Sequence, residues 1–163
     1  MKTIISNNKA VLGMPVYLLV ALVVAGVIIG LFAIAIFNSI KSSQTDQIKS
    51  EIEKIITEAE NMFEYADEGT LITVSVDFSN SLSFVVFGSM PQNGAQRPAD
   101  FTLDEDMSNN YYFVTDDGII SSYSSNARFS SEDISKIAFF GPGSYDLSLE
   151  LVNVGGISYV KIY

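Results

Sequence analysis

The side chains of this chain that could do chemistry are almost all carboxylates and hydroxyls, because it contains no His and no Cys. The missing His removes the commonest general base and zinc ligand, and the missing Cys removes thiolate nucleophiles, thiolate metal sites and disulfides. Thirteen acids lie in residues 67–163, but none is flanked by a recognisable catalytic sequence. We therefore expect no enzymatic activity and no cofactor.

One acidic turn carries oxygen ligands at a spacing that suits a hard cation. Asp104, Asp106 and Ser108 could contribute to a Ca²⁺ site, since calcium prefers carboxylate and carbonyl oxygens. The run lacks the Gly and the distal Glu of a full calcium loop, and a solvated acidic turn explains it equally simply. We predict no metal site and keep these three residues as a weak calcium candidate.

A different kind of chemistry is indicated near the N-terminus. There the cation Lys9 and the small residue Ala10 come directly before the apolar residues Val11 and Leu12. Such a peptide is a substrate for processing rather than a catalyst. It opens a stretch, residues 10–40, that contains no charged side chain. An apolar run of about 20 residues crosses a bilayer, so this stretch predicts a single membrane-spanning helix.

The orientation of that span follows from its flanking charges. Lys2 and Lys9 precede it, with no acid before Asp46 to offset them. The positive-inside rule therefore predicts a cytoplasmic N-terminus and a C-terminal domain outside the cytoplasm.

One continuous helix with two parts is predicted from about Pro15 to about Ala66, and Gly69 lies near its end. In the apolar part, small residues recur at spacings that allow close helix packing in lipid: Ala21, Ala25, Gly26 and Gly30. In the polar part, apolar residues recur at steps of three and four: Ile48, Ile52, Ile55, Ile56, Ala59, Met62 and Phe63. This amphipathic stripe either packs on the domain that follows or also contacts other subunits.

After Gly69 apolar residues recur at every second position, which is typical of half-buried strands. Predicted strands cover residues 72–78, 82–87, 111–115, 119–123, 144–154 and 157–162, and residues 91–100 form an exposed loop. Asp116-Asp117-Gly118 and Gly155-Gly156 read as hairpin turns, and Gly141-Pro142-Gly143 as a turn rather than a phosphate loop. The fold class is α+β, a long helix followed by an antiparallel β-sheet or small β-sandwich.

The β-rich part is strongly acidic. Residues 67–163 carry four basic side chains against the thirteen acids. An acidic surface repels phosphate backbones, so we expect no nucleic-acid partner.

The order of these parts resembles the type IV pilin-like proteins of archaea, which carry a class III signal peptide. In that family a prepilin peptidase cuts between a small residue preceded by Lys or Arg and an apolar residue, which here implies cleavage between Ala10 and Val11, after Lys9. The resemblance implies a leader at residues 1–10, a transmembrane and assembly helix at 11–37, an amphipathic continuation at 38–68 and an extracytoplasmic β domain at 69–163. It also implies a structural subunit of a cell-surface filament, with membrane lipid, prepilin peptidase and copies of itself as partners.

Two features depart from that family. Bacterial members place Glu at the fifth mature position, which is Pro15 here, and the chain contains no Asn-x-Ser/Thr glycosylation sequon. Two alternatives remain open. One is a single-pass anchored β domain, with a binding or scaffold role, that never polymerises. The other is a secretory signal cleaved after Ala33-Ile34-Ala35, although the apolar run is longer than such signals have.

Overall fold

The structure, a computed structural model, describes residues 9–92 and 94–163, with side chains described from Val16 onward. The chain divides into two units, one ending at Ser42 and one spanning Ser43–Tyr163. We call the second the head unit. The elements in chain order are α1 (Lys9–Tyr65), β1 (Leu71–Phe78), β2 (Leu82–Phe87), the 3₁₀ turn η1 (Glu105–Met107), β3 (Asn110–Thr115), β4 (Ile120–Ser124), β5 (Phe129–Ser130), β6 (Ala138–Phe140), β7 (Gly143–Val154) and β8 (Ile157–Ile162).

The long helix α1 ends at Tyr65, next to the predicted Ala66, but it begins at Lys9 rather than near Pro15. Pro15 therefore lies inside the helix, where it removes one backbone donor without ending the element. Gly69 lies in the turn that follows the helix and has a φ of +84°, a conformation that glycine adopts without strain. Its N–H donates to the Leu151 carbonyl at 2.8 Å, which ties this turn to β7.

The β elements form two four-stranded sheets, so the α+β prediction with a sandwich-like β domain is confirmed. The first sheet has the order β1-β7-β8-β5 and the second has the order β4-β3-β2-β6. All pairs are antiparallel except β5 with β8, which is parallel and departs from the predicted all-antiparallel arrangement. Consecutive strands β1 and β2 belong to different sheets, so the turn at residues 79–81 crosses between them.

The main core of the head unit is shared by α1 and both sheets. All but one of the predicted stripe residues of α1 are buried, and Phe63 is half-buried against the same core. They belong to the same apolar cluster as Phe78 of β1, Leu149 of β7 and Phe87 of β2. The prediction that this stripe packs on the domain that follows is confirmed.

The central strands β2 and β3 of the second sheet are largely buried on both faces, because a smaller core lies on the side away from α1. Phe84, Val86, Tyr112, Val114 and Ile137 form it, and the half-buried Leu103 and Phe139 pack against them. Leu103, which lies between β2 and η1 in the chain, packs on this face. This explains why β2 reads as a nearly continuous apolar run rather than an alternating one.

Candidate anchoring and assembly segment

Residues 16–40 of α1, which we call the apolar segment, are exposed throughout. An 18-residue window in this helix has a mean hydropathy of 3.1, and none of it is buried. At 1.5 Å per residue the segment is about 37 Å long, which exceeds a hydrocarbon core of about 30 Å. The structure thus contains one helix long and apolar enough, by length and composition, to cross a membrane.

The exposed apolar surface surrounds the helix. Leu31, Phe32 and Ile34 point in different directions around the axis, and their exposed fractions are 63%, 65% and 62%. A helix that is apolar on every side cannot be the surface helix of a soluble domain. Such a surface is compatible with a membrane anchor.

The small residues predicted to mediate helix packing lie on this open surface. Ala21, Ala25, Gly26 and Gly30 are all exposed, and a Cβ added at either glycine would meet nothing within 4 Å. The space beside the glycine backbone is therefore free for a neighbouring helix. That a helix packs there stays a prediction.

Lys41 marks the end of the charge-free stretch. Its ammonium lies 5.6 Å from the centre of the Phe37 ring, one turn earlier in the helix. This distance is within the range of a cation–π contact, about 6 Å.

The predicted processing residues Lys9, Ala10 and Val11 belong to the first turn of α1, and their side chains lie outside the described part. The rest of the predicted leader, residues 1–8, lies outside the described residues altogether. Cleavage between Ala10 and Val11 stays a prediction.

The second half of α1 is held to the head unit by carboxylates as well as by its apolar stripe. Glu60 accepts hydrogen bonds from the Ser125 hydroxyl at 2.7 Å and from the Asn126 N–H at 3.1 Å. Glu51 accepts from the Asp77 N–H at 3.1 Å and pairs with Lys54 at 2.7 Å. Sequence reasoning missed both roles, because these glutamates look like ordinary solvated residues of an amphipathic helix.

The Glu51 contact also covers part of an open sheet edge. β1 pairs with β7 on one side only, and the Asp77 N–H points away from β7. Edge strands with free donors invite pairing with other chains, and a covering side chain reduces that risk.

The electrostatics of the head unit agree with this close packing. Burial raises the pKa of Tyr111 on β3, and the nearby charges of Tyr123, Glu60 and Glu53 raise it further. On the surface of the head unit the direction is reversed: hydrogen bonds from Ser135 and Lys136 lower the pKa of the exposed Asp133 carboxyl to about 2.

The calcium candidates serve local structure. The Asp104 carboxylate accepts from the Asp106 N–H at 3.1 Å and caps η1, while the buried Ser108 hydroxyl donates to the Glu105 carbonyl at 2.7 Å. Among the described residues there is no cluster of three or more Asp or Glu side chains that could hold a metal ion.

Comparison with known proteins finds no match to a protein-family model, a curated protein or a solved structure. The class of protein is therefore defined by the chain's own features. It is an α+β protein in which one long N-terminal helix is apolar and exposed in its first half and packs into a two-sheet head unit in its second half. The composition of the first half fits a membrane anchor.

Proposed function

We propose that this chain is a pilin-like structural subunit of a cell-surface filament. Before assembly it is anchored in the cell membrane by residues 11–37, in a single pass with the N-terminus cytoplasmic and the head unit outside. After cleavage by a prepilin peptidase between Ala10 and Val11, the same helices form the filament core.

The observation that carries this proposal is the contrast within α1. The apolar segment is uncharged and exposed on every side, while the apolar stripe from Ile48 to Met62 is buried in the head unit. The head unit has its own core and does not need the apolar segment to bury that stripe. The apolar segment is thus available for contacts with other molecules.

The exchange of lipid for identical helices is physically reasonable for such a segment. No charge has to be moved or uncovered when an all-apolar helix leaves lipid for a helical bundle, and small residues permit close backbone approach. The acidic head would then lie at the filament surface, where its charge keeps it soluble.

The first test is the N-terminal residue of the protein isolated from its native membranes, read by mass spectrometry of the terminal peptide. A start at Val11 supports the proposal. A start at Met1 contradicts prepilin-type processing, and a start at Ile36 indicates cleavage by signal peptidase after Ala35 instead. The substitution Ala10→Leu removes the small residue and should block cleavage, while Asn8→Ala is the matched control that should leave it intact.

Processing alone does not establish polymerisation, so a second readout is needed. Electron microscopy of surface preparations should show filaments that contain this chain, and mild cross-linking should give a ladder of multimers. A processed chain that stays monomeric and forms no filaments would instead support an anchored β domain with a binding or scaffold role.

A further inference from the structure

The edge strand β1 borders an open groove in the head unit. β1 is the outermost strand of the first sheet, and β7 pairs with it on one side only. The groove has a volume of about 760 Å³ and is lined by side chains of α1 between positions 50 and 58 and by residues 72–75 of β1. We call it the β1 groove. The proposed filament function makes no use of it.

Backbone groups of β1 point toward this open edge. In an antiparallel pair, successive residues turn their N–H and C=O groups alternately toward and away from the partner strand. The Thr70 carbonyl accepts a hydrogen bond from β7 at 3.0 Å, whereas the Asp77 N–H donates to Glu51 of α1 at 3.1 Å. Even-numbered residues of β1 therefore face β7, and Thr73 and Ser75 present their N–H and C=O groups at the open edge.

The side of β1 that faces the core is apolar and incompletely covered. Ile72 and Val74 pack against the main core, but they are only half-buried and both line the β1 groove. Val76 and Phe78, further along the same side of the strand, are buried. The core thus closes over one end of this strand and leaves the other end open to a further apolar side chain.

The charged groups around the groove are mainly carboxylates. A second depression, which shares Lys54 and Ser75 with the β1 groove, continues it along the strand. Five carboxylates line the two together: Glu51, Glu53, Glu58, Asp77 and Asp146. Lys54 is the only cation that the described part of the chain contributes to either lining, and it already pairs with Glu51 at 2.7 Å. This excess of negative charge favours a basic partner.

We propose that the β1 groove binds an extended basic peptide, which adds a strand to the free edge of β1. In this mode of recognition, main-chain hydrogen bonds give affinity and alternate side chains give specificity. One set of peptide side chains is apolar and contacts Ile72 and Val74. The other set is Lys or Arg and projects on the outer face of the sheet, where the exposed Asp77 and Asp146 lie.

The charge of the chain argues against a second copy of itself as the occupant. Its net charge is −10, and pairing two β1 edges would bring the carboxylates of both grooves together. Like charges placed opposite each other destabilise a strand pair. The occupant is therefore a peptide segment of another, basic protein.

The test uses the full chain in an uncharged detergent and the labelled hexapeptide Lys-Val-Arg-Val-Lys-Val. Fluorescence anisotropy should show saturable binding that weakens as salt is added, because the carboxylates around the groove are accessible to counterions. The acidic counterpart Glu-Val-Asp-Val-Glu-Val should not bind.

Methylation of the peptide backbone separates strand addition from a purely ionic attraction. One alternate set of peptide N–H groups faces β1, and the other set faces away from it. N-methylation of the basic residues and N-methylation of the valines should therefore have opposite results: one peptide loses binding and the other keeps it. The two peptides carry the same charges and the same side chains.

Hydrogen exchange locates the bound strand without any substitution. The amides of Thr73 and Ser75 should exchange more slowly when the peptide binds. The Val74 amide is the internal control, because it faces β7 and should keep its rate.

A substitution at the edge completes the test. Thr73→Pro removes one outward N–H without touching the pairing with β7, and proline is tolerated on edge strands. It should weaken peptide binding about tenfold, through the lost hydrogen bond. Thr73→Val keeps the N–H and is the matched control, which should bind like the parent chain.

Three results would overturn the proposal: no saturable binding of the basic peptide, equal binding of the two methylated peptides, or binding without added protection at Thr73 and Ser75. Protection of these two amides that rises with protein concentration in the absence of peptide would also contradict it. That result would identify a second copy of the chain as the occupant.

Discussion

Both halves of α1 carry apolar side chains, but these side chains are arranged differently on the two halves. In the apolar segment, Ile29 is 69% exposed and its neighbours are exposed on all sides. About seven turns further on, Ile55 is 0% exposed and belongs to a stripe that is buried in the head unit. The same residue type in the same helix therefore has a partner within the chain in one case and none in the other.

This difference separates two uses of hydrophobicity. A stripe at steps of three and four stabilises the fold of its own chain, because it fits one surface. An apolar surface on every side fits no single partner and is suited to lipid or to several identical helices. The first two predictions below test this contrast directly, and the others test the packing of the head unit.

The largest effect is expected from deleting a buried side chain of the stripe. Ile55→Ala should destabilise the head unit by about 4 kcal/mol, through lost transfer free energy and the cavity left behind. Ile29→Ala is the matched control and should change head stability by less than about 0.5 kcal/mol. Chemical denaturation followed by the near-ultraviolet circular dichroism of the tyrosines measures both, and equal losses would remove the distinction.

The opposite experiment places a charge in the apolar segment. Ile29→Lys should disfavour membrane insertion by about 3 kcal/mol, since lysine at the centre of a spanning helix is costly. Ser39→Lys, beside the existing Lys41, should be tolerated. Resistance of the protein to alkaline carbonate extraction from membranes measures insertion, and a fully resistant Ile29→Lys chain would argue against a spanning segment.

Within the head unit, two glycines at positive φ should respond differently. Gly88→Ala should cost about 2 kcal/mol, because its Cβ would collide with the Phe129 carbonyl and Leu103 in addition to backbone strain. Gly69→Ala should cost about 1 kcal/mol, since only the strain applies there and nothing lies within 4 Å. Thermal unfolding of the two variants side by side measures the difference, and the reverse order would show that the close approach at Gly88 is not maintained.

A smaller effect is expected from the carboxylate that joins α1 to the connection between β4 and β5. Glu60→Ala removes the acceptor for Ser125 and Asn126 and should destabilise the head unit by about 1 kcal/mol. Glu58→Ala, on the exposed side of the same turn, is the control and should be neutral or slightly stabilising, because alanine favours helix. Denaturant midpoints of the pair report the contribution of Glu60.

The smallest effect concerns pH. The folded-state pKa of Tyr112 is raised above 10.0, so the stability linked to it is fully present below pH 10 and is lost as pH rises through the folded pKa. Tyr112→Phe should therefore flatten the stability profile above pH 10 relative to the parent chain. Identical alkaline profiles for the two chains would contradict a buried Tyr112.

Much of this architecture could be predicted because its signals are periodic. The stripe of α1 and the alternation of β1 specify a buried face by spacing alone, and the two hairpins follow from their Gly-containing turns. The strands β5 and β6 have two and three residues, too few to show a period, and their positions depend on pairing with β8 and β2.

The features that sequence reasoning could not find depend on residues distant in the chain. The role of Glu60 requires Ser125, which is 65 positions away. The processing residues Lys9 to Val11 present the reverse case. Their role was predicted from their types and order alone, and it stays a prediction until the N-terminal residue is measured.

The most direct test of the contrast between the two halves uses the absence of cysteine from the chain, which allows single cysteines to be labelled without background. Ile29→Cys and Ser122→Cys place one thiol in the apolar segment and one on the exposed strand β4. On intact cells, a membrane-impermeant maleimide should label the cysteine at position 122 rapidly and leave the one at position 29 unlabelled until the membrane is dissolved. Equal labelling at both positions on intact cells would contradict the account, because the apolar segment would then face water.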